Sequence, residues 1–217
     1  MENKQLYVFD FDGTIADSVP AALRIINDLG AEYRLPKVDP QIIAELKHKS
    51  IKELLHMSGL TWVQIPGFLR KARLGFRKMI DDVKPIEGMP ALIHHLVESN
   101  ARLGILTSNR EDNVRDFLQK HDLEQFDFVE CSTSLFGKAN KLRRIKRMTG
   151  IPFQSMAMIG DEVRDVEAAK KVGVTSVAVT WGFNSPELLQ TSHPDHLVSS
   201  TEGLDHLLRF SSSAGAR

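Results

Sequence analysis

Two carboxylates, a glycine and a hydroxyl follow directly on a short apolar run in Leu6-Tyr7-Val8-Phe9-Asp10-Phe11-Asp12-Gly13-Thr14. Side chains alternate along a strand, so Asp10 and Asp12 leave its end on one side. At ~4 Å, two such charges repel by roughly 4 kcal/mol at an effective dielectric of about 20. A divalent cation relieves that repulsion, and a hard all-oxygen site of this kind suits magnesium. A strand ending in a polar Asp-Gly turn would account for the same residues without any chemistry.

Three further groups stand at similar places. In an open parallel sheet, sites form outside the carboxyl ends of the strands. Thr107-Ser108-Asn109 follows the apolar run at Leu103–Leu106, and Gly137-Lys138 enters a helix beyond Phe126–Cys131. Gly160-Asp161-Glu162-Val163-Arg164-Asp165 follows Met156–Ile159. Asp161 and Asp165 are four apart and share one face of a helix that starts at Glu162. Taken singly, each group has a plainer explanation. Thr107, Ser108 and Asn109 are good helix caps, and Lys138 stands among Lys141, Arg143, Arg144, Lys146 and Arg147. Capping and solvation do not predict the ordered set: acidic pair, hydroxyl, lysine, acidic pair, each at a strand end.

The elements that must position these groups alternate. Strands are expected at Arg102–Leu106, Phe126–Cys131, Met156–Ile159 and Thr175–Val179. Helices are expected at Glu111–Lys120, Lys138–Met148 and Glu162–Lys171. Such alternation predicts a parallel sheet covered on both faces, an α/β fold with a three-layer, Rossmann-like core. The stretch from Asp17 to about Lys84 breaks the pattern and reads as helices over Pro20–Glu32, Pro40–Met57 and Thr61–Ile80. Leu69, Ala72, Phe76, Met79 and Ile80 make an apolar stripe at helical spacing. The organisation expected is therefore a core of residues 1–16 and 85–217, with an all-helical cap domain, 17–84, inserted over the strand ends. Residues 211–217, small and polar, are expected to be a disordered tail. Arg70, Arg73 and Arg77 flank the cap stripe. They could grip a second anionic group on a substrate, or be a solvated basic edge.

Composition narrows the function classes. At 217 residues the chain is one large domain or one carrying a smaller inserted one. Lys plus Arg number 28, as do Asp plus Glu, which speaks against a dedicated nucleic-acid surface. The lone Cys131 excludes an internal disulfide. No apolar run approaches the roughly 20 residues that span a bilayer, and the start of the chain leaves no room for a signal peptide ahead of the first strand. A cytoplasmic enzyme, monomer or homodimer, with no membrane partner, is the expectation.

With its four groups in that order, the chain resembles the haloacid dehalogenase-like hydrolase superfamily. The motifs concerned are Asp10-x-Asp12-Gly13-Thr14, Thr107 or Ser108, Lys138, and Gly160-Asp161-x-x-x-Asp165. The layout is most similar to the phosphoglycolate phosphatase-like branch, whose return from the cap Val83-Lys84-Pro85-Ile86-Glu87-Gly88-Met89 resembles. The resemblance implies a phosphatase for small phosphate esters, with Asp10 as nucleophile forming an aspartyl-phosphate and Asp12 as general acid and base. It implies magnesium held by Asp10, Asp12 (through its main-chain carbonyl) and Asp161, with Asp165 acting through water or by holding Lys138. Lys138 would offset phosphoryl charge. Phe11, Gly13, Thr14, Thr107, Ser108 and Asn109 would surround the phosphoryl oxygens. The family often has Lys-Pro where this chain has Lys138-Ala139, and Lys141 is an alternative lysine. A sugar phosphomutase shares the four motifs, and a partner-binding protein without turnover is the non-enzymatic alternative.

Overall fold

Leu6–Phe9 (β1) has alternating side chains that are apolar on both faces, and it occupies the middle of the sheet. In the computed structural model, which describes residues 5–132 and 137–214, Tyr7 and Phe9 enter one core cluster and Leu6 and Val8 the other. The chain then runs through α1 (Val19–Tyr33), a 3-10 turn, α2 (Ile43–Lys47), α3 (Ile51–Met57) and α4 (Gln64–Met79) before returning to α5 (Met89–Glu98). From there strands and helices alternate: β2 (Arg102–Thr107), α6 (Glu111–Lys120), β3 (Phe128–Cys131), α7 (Lys138–Thr149), β4 (Met156–Gly160), α8 (Val163–Lys170), β5 (Thr175–Val179), α9 (Pro186–Thr191), β6 (His196–Val198) and α10 (Thr201–Ala214). The six strands are all parallel, in the order β3-β2-β1-β4-β5-β6.

Helices cover both faces, as parallel strands require. Leu92, Ile93 and Leu96 of α5, Val114 and Phe117 of α6, and Leu204 and Leu208 of α10 pack on the Tyr7/Phe9 side. Leu142 and Ile145 of α7 and Ala168 and Ala169 of α8 pack on the Leu6/Val8 side. Each fully buried Leu, Ile or Phe contributes about 1.5–3 kcal/mol, so the two layers hold β1 rigidly between them. Phe9 pairs with Ile105 of β2 and Ile159 of β4. The topology reverses at β1, so its end is flanked by the ends of β2 and β4, the crevice where such sheets bind ligands.

Between β1 and β2 the chain is helical apart from short turns. Ala21 and Ile25 of α1 share a core cluster with Phe76 of α4, and Tyr33 at the end of α1 meets Phe68 edge to face. One expectation is corrected here: Pro40–Met57 is not a single helix. Ser50 starts α3 afresh, accepting from Glu53 N while its own N–H donates to Glu53 Oε2 at 2.7 Å. This reciprocal cap satisfies donors that a continuous helix would have bonded internally. The last helix, α10, spans Thr201–Ala214 and buries Leu204 and Leu208. Residues 215–217 lie outside the described residues.

The sheet edge is pinned by one acid. Ser176 N and Oγ donate to Asp195 Oδ2 at 2.8 and 2.7 Å, tying the start of β5 to the residue before β6. These bonds, Oγ first, lower the Asp195 pKa from its ordinary 3.8. A lowered carboxylate stabilises the fold above its unfolded pKa and loses that contribution as the pH falls through the folded one. Asp195→Ala should cost about 1 kcal/mol at pH 7, the group being largely exposed to solvent. The part of that cost that comes from the charge should be lost as the pH falls from the ordinary carboxylate value through the lowered one, which urea unfolding at pH 7 and in acid would show.

Candidate active site

At the end of β1 the main chain turns tightly, with the amides of Ile15 and Ala16 both reaching Phe11 O at 3.0 Å. Gly13 sits at φ +75°, and a Cβ there would overlap Asp161 Oδ2, as would one on Gly182. Both glycines therefore let backbone approach the carboxylate closely. Trp181 Nε1 donates to Thr14 O at 3.2 Å and fixes the turn from the β5 side.

Inside this turn the acids converge. Asp10 is buried; its Oδ1 accepts from Phe11 N at 2.8 Å and its Oδ2 pairs with Lys138 Nζ at 2.6 Å. Lys138 also donates to Asp165 Oδ1 at 2.6 Å, so one buried ammonium bridges two buried carboxylates. Asp161 accepts from Thr14 Oγ1 at 2.7 Å and from Phe183 N at 2.7 Å. Asn109 Nδ2 donates to both Asp12 oxygens, at 3.1 and 3.0 Å, and Asn109 Oδ1 is held by Arg110 N and Asn113 Nδ2.

The two open choices acquire geometry. Lys141 turns away and pairs with Glu130 at 2.6 Å, leaving Lys138 as the lysine between the acids. Thr107 is fully buried and its Oγ1 accepts from Asn109 N at 2.9 Å, whereas Ser108 borders the adjoining cavity and its carbonyl accepts from Arg73 Nε at 2.8 Å. Of the three cap arginines, Arg73 thus reaches the β2 loop, Arg77 pairs with Asp116 of α6, and Arg70 is exposed.

Glu162 joins the cluster although the sequence pattern pointed only to Asp161 and Asp165. Carboxylate oxygens of Asp10, Glu162 and Asp165 lie within 4.8 Å of one another. The helix begins at Val163, one residue later than expected, which makes Glu162 the cap residue rather than part of the first turn. Its neighbour Arg164 curls back onto it, Nε to Oε2 at 2.6 Å. The signal was a third acid within the same six residues, masked because spacing along a helix was read where the chain is still extended.

Charge does not balance here. Asp10, Asp161, Glu162 and Asp165 are buried against Lys138 and the nearly buried Arg164, four acids to two bases. Burial raises Asp10 to about 7 despite the pull of Lys138. Burial raises Asp12 to about 6, with Asn109 opposing. Asp161 is pushed well above its ordinary range, by burial first and then by Glu162. For Lys138 burial disfavours the charge, but Asp10 and Asp165 outweigh it and hold the ammonium above its usual value. Two surplus negative charges on hard oxygen donors fit a divalent cation such as magnesium.

The family model of the haloacid dehalogenase-like hydrolases matches residues 7–179, the span that carries all four groups. The chain belongs to the haloacid dehalogenase-like hydrolases. A phosphoglycolate phosphatase of Synechococcus elongatus is 32% identical over 92% of this chain and 95% of its own length. The phosphoglycolate phosphatase of Escherichia coli is 23% identical, over 90% and 89%. A haloacid dehalogenase-like hydrolase of Streptococcus pneumoniae superposes with a TM-score of 0.79 at 22% identity, covering 97% of this chain and all of that one. As a haloacid dehalogenase-like hydrolase of the phosphoglycolate phosphatase-like branch, the protein is a phosphatase, and the resemblance read from the motifs is borne out. Among the described residues, no helix is long and apolar enough to cross a membrane.

Proposed function

We propose that this phosphatase hydrolyses small phosphate monoesters, phosphoglycolate-like in size, with magnesium, through an aspartyl-phosphate on Asp10. The observation that carries the reading is the pairing of Asp10 with Lys138 at 2.6 Å, beside an Asp12 whose two oxygens Asn109 holds. The 32% identity to a phosphoglycolate phosphatase supports the substrate size.

An Asp10 oxygen attacks phosphorus, the new P–O bond forming as the bond to the alcohol oxygen breaks. Holding nucleophile and ester together replaces a bimolecular encounter with an intramolecular step. Lys138 offsets charge on the transferring group from a site already dry and fixed. Asp12, raised to about 6, carries a proton often enough near neutrality to give it to the leaving alkoxide. Deprotonated, it takes a proton from the water that cleaves the acyl phosphate. Asp10, the Asp12 main-chain carbonyl, Asp161 and Asp165, with Glu162 beside them, would hold magnesium, which when bound supplies positive charge to the phosphoryl oxygens. The helices of residues 17–84 act as a cap on a core of 1–16 and 85–217, excluding bulk water during transfer.

Phosphate release from a panel of small esters tests the reading. We expect release with magnesium and loss of at least a hundredfold with EDTA, restored by added magnesium. Release indifferent to EDTA would refute the metal requirement. Asn109→Ala should lower kcat by about 10- to 100-fold with KM little changed, because Asp12 loses the amide that aims it. An equal loss confined to KM would place Asn109 on the substrate instead.

A further inference from the structure

A cavity of about 300 Å³ opens beside Asp12 and runs into the helical insertion. Its mouth is polar, bordered by Asp12, Asn109, Arg73 and Arg164. Beyond the mouth it is walled mainly by Ile25, Ile26, Leu46, Leu54, Phe68 and Phe76, from α1, α2, α3 and α4, with Lys47 of α2 the cation among them. Asp10 and Lys138 lie outside this lining, so the space extends from the proton donor, on the side where the alcohol departs.

We propose that the alcohol carries an apolar body that fills this cavity, making the substrate an amphiphilic alkyl or aryl phosphate monoester. The inference rests on the phosphatase reading above and keeps its reaction and metal, but replaces the phosphoglycolate-sized leaving group with a larger, apolar one. At roughly 30 Å³ per water the cavity has room for about ten waters, and the five non-hydrogen atoms of a glycolate group would leave about half of it unfilled. A carboxylate pushed among the Ile, Leu and Phe side chains would lose its hydration there, and the cations that could receive it, Lys47, Arg73 and Arg164, stand elsewhere on the lining.

Two observations make this a binding wall rather than a gap between loose parts. The insertion is fastened on both flanks: Arg73 Nε to Ser108 O at 2.8 Å and Arg77 to Asp116 on one, Ser185 N to Lys47 O at 2.8 Å on the other. Yet α2 and α3 bury no residue fully, and their Leu46, Ile51 and Leu54 line the cavity half-buried. An apolar occupant would complete the core that these two short helices lack.

The test is kcat/KM for straight-chain alkyl phosphates from methyl to octyl, beside phosphoglycolate, with magnesium and below micelle-forming concentrations. The expected result is a rise of about fourfold per added methylene until the cavity is full, with octyl phosphate above phosphoglycolate. Ala22→Phe, which fills the cavity from α1, should abolish the slope and lower octyl phosphate turnover at least tenfold. A flat or falling series, or phosphoglycolate preferred over octyl phosphate, would overturn the proposal and return the mouth arginines to gripping a carboxylate. Calorimetric binding of octylphosphonate against methylphosphonate reads the cavity without turnover: tighter octyl binding with a more negative heat-capacity change supports it, equal binding overturns it. No release from any ester, methyl phosphate included, would defeat the phosphatase reading instead. The phosphonate pair would then still decide the cavity, as it would if Ala22→Phe failed to fold.

Discussion

Asp10→Asn is expected to lower phosphate release by about 10⁴-fold or more while leaving the fold intact. The substitution keeps size and shape, and an amide oxygen can still accept from Phe11 N as Oδ1 does now at 2.8 Å. What it removes is the nucleophilic charge. It also removes one of the surplus buried acids. Burial raises Asp10 from 3.8 to about 7, so its ionised form weighs against the folded state at any pH above the unfolded value. The variant should therefore unfold at an equal or higher denaturant midpoint than the parent. Lys138 keeps its second partner Asp165 in the variant, and a residue whose buried charge weighs against folding yet is needed for turnover is the pattern of a site held against stability. Inactivity accompanied by a large drop in midpoint would instead make Asp10 a structural residue.

Lys138→Met should have the second largest effect, in both activity and stability. The methionine keeps most of the buried stem and takes away the ammonium that lies 2.6 Å from both Asp10 and Asp165. Breaking a buried pair from one side leaves its partners uncompensated, at about 3–5 kcal/mol. Loss of a fixed cation from the transferring phosphoryl group should cost roughly 10³-fold in kcat. Magnesium should recover part of the midpoint, since a cation that binds only the folded state stabilises it by mass action. A midpoint unchanged by the substitution would mean that Lys138 carries no buried charge pair. Lys141→Met, by contrast, breaks only its pair with Glu130, which keeps Arg144 at 3.0 Å, and should leave turnover near the parent level.

Much of this was legible in the sequence because the groups sit at strand ends. Val8-Phe9 and Met156–Ile159 are apolar on both faces, which marks both as strands inside a parallel sheet; that β1 and β4 are neighbours is visible only in the structure. Lys138, at the start of its helix, lies between the acids, whereas Lys141 three residues on faces Glu130. Other features are set by contacts that periodicity does not encode. The break at Ser50 depends on a reciprocal hydrogen bond with Glu53. Glu162 turns inward because α8 begins one residue later than its apolar spacing suggests. Arg73 stood out only as one of three arginines on a helix flank, and nothing in the spacing of Arg70, Arg73 and Arg77 said which would reach Ser108 O. β6 has just three residues, too few for an alternation to show, and it is held by Asp195 rather than by propensity.

The central claim is that the phosphoryl group passes through Asp10. Acid quenching of the enzyme during turnover with magnesium, followed by peptide mapping by mass spectrometry, tests this most directly. The account predicts phosphate on the peptide that contains Asp10, at that residue, and none in Asp10→Asn. Phosphate at another residue, or phosphate release by Asp10→Asn at the parent rate, would contradict it.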